Sequence, residues 1–352
     1  MVFFMRKTLC FDDVLLAPQY SDIESRTEVN LSVPGLLDHL NPIEASNKRQ
    51  LTCPIVGSPM DTVMGPESAQ ALSSLGAFGI LHRYCSIEDA RKSYRETVLA
   101  GGSETNVMVA IGSTGDYLER AWELFTSGCR AFCVDVAHGH HVSVKRAIES
   151  LRSKFGNNIH IMSGNVATLE AFNDLSDWGC DSIRVGVGGG SMCTTRIQTG
   201  HGIPTFQSIL ECASTDRPAR IVADGGIRNS GDAVKALAAG ADYVMLGSVL
   251  AGHKETPGEI FNNPEGSFKV FRGMASKEAQ IEWRGKVGGE EGVSTFIPYK
   301  GSLRDTMENF LAGMRSGLSY SGARNIPELQ RKAVFVEVSS NAVKENHPHG
   351  KK

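Results

Sequence analysis

The chain predicts an α/β fold, a closed (β/α)8 TIM barrel, on three observations. Eight short apolar runs recur at a nearly constant interval, at residues 55–57, 79–81, 107–111, 131–134, 159–162, 182–185, 221–223 and 243–246. Between them lie amphipathic stretches with helical spacing, such as 87–99, 117–125, 142–151 and 232–239. The residues after each run are polar or glycine-rich, whereas the runs themselves are apolar. Alternating strand and helix makes a parallel sheet, and eight units close a barrel, where an open doubly wound sheet usually has fewer strands.

Barrel enzymes keep their chemistry at the C-terminal strand ends. Taken in order, those ends are Ser58-Pro59-Met60-Asp61, His82-Arg83, Gly112-Ser113 and Asp135-Val136-Ala137-His138. Gly164-Asn165, a long glycine-rich loop at 186–204, Asp224-Gly225-Gly226 and Gly247-Ser248 complete the set. A second long excursion, 252–300, carries Gly273, Gly285, Gly288, Gly289 and Gly292 and reads as a mobile lid over the barrel mouth. All of 1–352 is then expected to form a single catalytic domain.

Composition narrows the setting. With 41% hydrophobic and 21% charged residues and a net charge of −3, nothing pulls the chain toward nucleic acid or an anionic membrane. No apolar run reaches membrane-spanning length, and Met1-Val2-Phe3-Phe4-Met5 is too short for a signal-peptide core. Eight cysteines without CxxC pairs point to reduced thiols and a cytoplasmic location.

The loop Gly186-Val187-Gly188-Gly189-Gly190-Ser191-Met192-Cys193-Thr194-Thr195-Arg196 is the most informative segment. Its glycines let the backbone approach a ligand closely, and it presents one thiol flanked by hydroxyl residues. Cys193 is therefore the candidate nucleophile, acting as a thiolate. Cys129, Cys133 and Cys180 sit in apolar contexts and are expected to be inert. Asp224-Gly225-Gly226-Ile227-Arg228 and Gly247-Ser248 follow the last two strands, where barrels commonly bind phosphate through backbone N–H groups. Ser191 offers a third donor. The run from Asp135 to His141 lacks metal-ligand spacing, so Asp135 and its histidines are expected to contact a ligand directly. His347 and His349 belong to a polar, solvated tail. In the lid, either Glu290 or Glu291 is placed to work on a threonine hydroxyl.

These residues resemble the family that joins IMP dehydrogenase and GMP reductase. The likeness runs through Phe11-Asp12-Asp13-Val14-Leu15-Leu16-Ala17-Pro18, Ser58-Pro59-Met60-Asp61-Thr62-Val63 and Gly164-Asn165-Val166. It continues through the Cys193 loop, Asp224-Gly225-Gly226-Ile227-Arg228 and Tyr299-Lys300-Gly301-Ser302. The resemblance implies that Cys193 attacks C2 of a purine mononucleotide during hydride transfer with a nicotinamide cofactor. It also implies that Ser58, Met60, Ser191, Asp224, Gly225, Gly226, Gly247, Ser248, Gly273 and Met274 hold the nucleotide. Asp135, Ala137, Asn165 and Arg184 would lie toward the cofactor, NADPH. A monovalent cation, K+, would sit at Gly188, Gly190 and Cys193, and the assembly would be a homotetramer.

Within the family the signs favour reductive deamination of GMP to IMP and ammonia. The dehydrogenase lid carries an Arg-Tyr pair that activates water; here the only Arg-Tyr, Arg83-Tyr84, lies far from the lid in sequence. The lid instead reads Glu282-Trp283-Arg284, close to the reductase's Glu-Tyr-Arg. Ala251-Gly252-His253, Asp135-Val136-Ala137, Phe271 and the lack of an inserted regulatory (CBS) domain agree. Residues 311–317 and 344–349, Arg184, Gly189 and His201 look more like the dehydrogenase or depart from the reductase, which keeps IMP oxidation to XMP as the alternative. Thr195 is expected to pair with Glu291, because Gly292 follows it as in the family.

Overall fold

A computed structural model describes residues 5–40, 53–339 and 341–346. The expected tail histidines, His347 and His349, and the first four residues lie outside the described residues. The outlying strand β1 (Val14–Leu16) is followed by the barrel strands β2 (Ile55–Gly57), β3 (Phe78–Leu81), β4 (Val107–Ile111) and β5 (Ala131–Asp135). Next come β6 (His160–Val166), β7 (Ser182–Val185), β8 (Arg220–Asp224) and β9 (Tyr243–Leu246). All eight barrel strands are parallel, and β9 returns to pair with β2, so the sheet closes as a (β/α)8 TIM barrel. All eight expected strands are present, with ends shifted by a few residues. The largest change is β6, which runs on through Gly164 and Asn165 to Val166.

Side chains alternate across the barrel wall with period two, as strand geometry requires. Val56, Phe78, Ile80, Met108, Ala110, Ala131, Cys133, Met162, Val222, Tyr243 and Met245 fill the interior. The intervening residues, such as Ile55, Val109, Phe132, Ile161, Ile183, Val244 and Leu246, pack outward in the shell shared with the helices. The helices start where their caps dictate: Ser86 caps Ile87–Leu99, Thr168 caps Leu169–Asp177 and Asn229 caps Ser230–Ala238, each side chain accepting a backbone N–H.

Two features outside the eight repeats position the ends. Leu36 and Leu37 join the interior cluster from the N-terminal segment. Both Arg220 and Tyr243 donate hydrogen bonds to the Pro34 carbonyl, so this segment plugs the N-terminal end of the barrel. At the other end, the excursion expected as a glycine-rich loop is a built element. Strands β10 (Phe261–Asn263), β11 (Gly266–Arg272) and β12 (Ser294–Pro298) form an antiparallel sheet, and the helix Lys277–Arg284 lies between the last two. Lid glycines in 285–292 are confined to the connection back from that helix. After the lid, β13 (Phe335–Glu337) pairs antiparallel with β1.

Candidate active site

β7 delivers the cysteine loop. Gly186, directly after the strand, has φ +144°, and a Cβ there would stand 1.9 Å from the Asp224 carbonyl oxygen. Only glycine lets β7 and β8 end this close together. The loop closes on itself through a bridge between Val187 and Ile203, and a five-residue helix begins at Thr195. The lid then clamps it from above. Cys193 is bridged to Gly292, Thr194 N–H donates to the Glu291 carbonyl at 3.0 Å, and Val293 N–H donates to the Met192 carbonyl at 3.0 Å. These backbone bonds fix the register between loop and lid, which spacing along the chain does not specify.

That register lines up three side chains. The Cys193 thiol donates to Thr195 Oγ1 at 3.1 Å, and Thr195 Oγ1 donates to Glu291 Oε2 at 2.7 Å. A threonine hydroxyl both accepts and donates, so it can pass a proton between the thiol side and the carboxylate. Glu290, the other candidate, gives Thr194 only its backbone carbonyl. Five of the other cysteines, Cys53, Cys129, Cys133, Cys180 and Cys212, are buried, and burial pushes their thiols well above the ordinary range. That set contains the three expected to be inert.

Cys193, Thr195 and Glu291 open onto a cavity of about 530 Å³ at the C-terminal end of the barrel. All the expected nucleotide contacts line it: Ser58, Met60, Ser191, Asp224, Gly225, Gly226, Gly247, Ser248, Gly273 and Met274. Gly225 and Gly226 have φ of +97° and +80°, and a Cβ on Gly225 would meet the Gly189 and Gly190 backbone at 3.0 Å. The two glycine segments therefore pack face to face, leaving a side-chain-free wall suited to an anion held by N–H groups. Lys300, at the end of the lid, donates to the Ser248 carbonyl at 2.9 Å and holds that wall in place.

Asp135, Ala137, Asn165 and Arg184 also line the cavity. Their bonding differs from the expectation, because three of them form one network with Asp224. Arg184, pointing inward from β7, donates to Asp135 Oδ1 at 2.5 Å and to Asp224 Oδ2 at 2.9 Å. Asn165 Nδ2 donates to Asp224 Oδ2 at 2.8 Å and to the Gly186 carbonyl at 2.7 Å. Burial alone would lower the Arg184 pKa, but the two carboxylates outweigh it and hold the guanidinium charged. Its donors are directed at Asp135 and Asp224, so it holds those carboxylates in position. Among the described residues these bonds all fall on Asp224 Oδ2, and Asp224 lines the cavity.

The histidines after Asp135 do not line the cavity. His140 pairs with Asp174 at 2.8 Å and stacks on Trp178, and His141 accepts the Ser143 N–H as a helix cap. Local hydrogen bonding uses both rings. In the cysteine loop the Gly190 carbonyl accepts the Cys193 N–H, and the exposed Arg196 side chain lies against Gly188 and Gly202.

Sequence reasoning missed three contributors. Asp61 Oδ2 accepts from Arg272 Nη2 at 2.5 Å and from Trp283 Nε1 at 2.9 Å, fastening the β2 end to both lid elements. Arg272 reaches on to Glu282 at 2.6 Å. Arg83 and Tyr84, distant from the lid in sequence, line the cavity beside Arg284, whose guanidinium lies 6.0 Å from the Tyr84 ring centre. Gln280 also lines the cavity and donates to the Gly289 carbonyl at 3.0 Å, bracing the lid turn. Only the motif Ser58-Pro59-Met60-Asp61 hinted at Asp61, and nothing local hinted at Gln280.

The barrel therefore carries a thiol–hydroxyl–carboxylate chain beside a glycine-lined wall at its C-terminal mouth, where barrel enzymes keep their sites. Known proteins narrow the class further. The model of the IMP dehydrogenase / GMP reductase domain matches residues 8–349. A GMP reductase of Vibrio vulnificus (strain YJ016) is 36% identical, with 97% of each chain covered. An inosine-5'-monophosphate dehydrogenase of Nitrosopumilus maritimus is 29% identical over 98% of each. A solved GMP reductase variant of Trypanosoma brucei, in complex with guanosine 5'-monophosphate, superposes with a TM-score of 0.86 at 27% identity over 99% of each chain. The chain belongs to the IMP dehydrogenase/GMP reductase family, whose members are oxidoreductases acting on GMP or IMP.

Proposed function

We propose that this protein is a GMP reductase-type oxidoreductase, converting GMP to IMP and ammonia with NADPH. The observation that carries the reading is the Cys193–Thr195–Glu291 relay, closed by a lid that reads Glu282-Trp283-Arg284. In this reading the glycine wall and Ser248 hold the nucleotide phosphate, and Asp224 takes a ribose hydroxyl. Gly273 and Met274 lie along the purine.

The Cys193 thiolate adds to C2 of guanine, which makes the 2-amino group a leaving group once protonated. Glu291, through Thr195, delivers that proton, a general-acid task, and ammonia departs. The carbon–sulfur bond then breaks as C2 becomes the C–H of IMP, and Cys193 returns to thiolate. The nicotinamide cofactor supplies the hydride. Asp135, Ala137 and Asn165 would hold it, with the Tyr84 ring and the Arg83 and Arg284 cations suiting an aromatic, anionic group on that wall.

One observation favours a second reading, IMP oxidation to XMP. The Arg83-Tyr84 pair reaches the cavity in space despite its distance in sequence, and Arg83 Nε stands 3.8 Å from Asp135. Nicotinamide absorbance with purified protein separates the two. Loss of NADPH signal with GMP, with IMP formed, is the expected result; NADH formation from IMP and NAD, with XMP formed, would replace it. The homotetramer expected from the family is tested by sedimentation, and the cytoplasmic location expected from cysteine usage by cell fractionation. Among the described residues no helix is long and apolar enough to cross a membrane.

A further inference from the structure

The N-terminal end of the barrel, opposite the thiol, holds a cluster that the reaction does not use. His160 opens β6, Asp181 directly precedes β7, and His39 comes from the N-terminal plug. One ligand atom from each lies within 4.8 Å of the others. His39 Nε2 and His160 Nδ1 each stand 3.9 Å from an Asp181 carboxylate oxygen, and the two rings are 5.4 Å apart.

The hydrogen bonds around these rings decide which nitrogens carry lone pairs. His39 Nδ1 lies 3.0 Å from the Leu36 carbonyl, which only accepts, so Nδ1 bears the proton and Nε2 is free to ligate. His160 Nε2 lies 2.8 Å from Ser182 Oγ, and donation there leaves Nδ1 as the lone pair. His160 is 1% exposed, and its Nδ1 has no hydrogen-bond partner, although it is aimed at the cluster. An unpartnered buried acceptor is destabilising. A Lewis acid removes that cost, and the His39–Asp181 contact does not.

We propose that His39, His160 and Asp181 form a divalent transition-metal site, suited to zinc, that ties the N-terminal plug to the barrel floor. Two imidazole nitrogens and one carboxylate oxygen are a borderline donor set, and each histidine has an outer hydrogen bond that orients it. Tetrahedral zinc, with bonds of about 2.0–2.2 Å, sets its ligand atoms about 3.3 Å apart. The 3.9 Å separations would have to close to that spacing on binding, by movement of the plug segment that carries the exposed His39 and a small shift at Asp181. Asp181 also accepts from Ile161 N–H at 2.7 Å and from Arg152 at 2.5 Å, which fixes the carboxylate. Arg152 offsets its charge as well, so affinity falls below that of four-ligand structural sites. Leu36 and Leu37, on the same plug, are then held in the interior by the ion as well as by burial.

The test uses the tag-free full chain carrying Cys193→Ala, which removes the thiol at the mouth as a competing ligand. Stripped with a chelator and titrated with cobalt(II), it should take up one ion per chain. The visible bands should be those of a tetrahedral nitrogen–oxygen site, without thiolate charge transfer. Zinc should displace the cobalt and raise the thermal unfolding midpoint. Adding His39→Ala should abolish the bands and the thermal shift while nucleotide affinity at the mouth is retained. Absence of cobalt bands, bands that survive His39→Ala, or a sulfur-ligated spectrum would each overturn the proposal. A water molecule donating to His160 Nδ1 would then be the occupant.

Discussion

Within β7, Ser182 and Arg184 both face into the barrel, two residues apart. Ser182, near the floor, accepts from a buried histidine beside a plug built from Pro34, Leu36 and Leu37. Arg184, near the mouth, is flanked by two carboxylates and followed by a glycine that no other residue could replace. The floor is closed by apolar burial and a few side-chain bonds to backbone. The mouth is closed by backbone bonds between the cysteine loop and the lid, joined by the Asp61 contacts to Arg272 and Trp283 at the β2 end. One strand thus serves stability at one end and chemistry at the other, a division that parallel barrels impose by placing all C-terminal strand ends on one face.

The sharpest way to break this comparison is Cys193→Ala. Turnover should fall to background, while nucleotide binding and the unfolding midpoint stay near those of the unchanged protein. Retained turnover in a nicotinamide absorbance assay would move the chemistry off the thiol. Glu291→Gln should come next, slowing ammonia release by about 10²–10⁴-fold because the general acid is lost. Single-turnover measurements should show hydride transfer from preformed intermediate less affected. An unchanged overall rate would return the role to Glu290.

At the floor, Leu36→Ala should act in the opposite sense. Leu36 is 1% exposed and packs inside the barrel, so its truncation should cost about 2–5 kcal/mol in urea unfolding. The kcat of the folded fraction should not move; if it does, the two ends are coupled. The smallest effect is expected from Asp61→Asn, which keeps the shape but removes the charge shared by Arg272 and Trp283. Looser lid closure should raise KM about tenfold, near 1.4 kcal/mol, with global stability little changed.

Much of this was legible along the chain. Apolar runs spaced by amphipathic stretches specify strand and helix because each element repeats its own burial period, and eight of them specify closure. Cys193 and the segments Gly225-Gly226 and Gly247-Ser248 were visible because a glycine-rich turn and its reactive residue are neighbours in sequence. Other features were hidden because they depend on contacts across long separations. Arg184 looked like a cofactor contact until Asp135 and Asp224 were seen to bracket it. Arg83-Tyr84 looked remote until the lid helix was brought over it. The lid glycines suggested an irregular segment, since antiparallel pairing between residues 268–272 and 294–298 leaves no local signature when the strands are partly exposed.

The sequence by itself determined the barrel and the face on which its polar and glycine-rich loop tips gather, and it singled out Cys193 and the glycine segments as the candidate nucleophile and phosphate wall. Each follows from local periodicity or from residues adjacent in the chain. Only the tertiary structure decided that Asp61 latches the lid and that His39 meets His160 and Asp181, and it brings Glu291, to which the resemblance already pointed, within a hydrogen bond of Thr195. Those choices turn on register between segments tens of residues or more apart. Register is set by backbone bonds such as Thr194 to Glu291 and by the closing of β9 on β2, which exist only once the chain has folded.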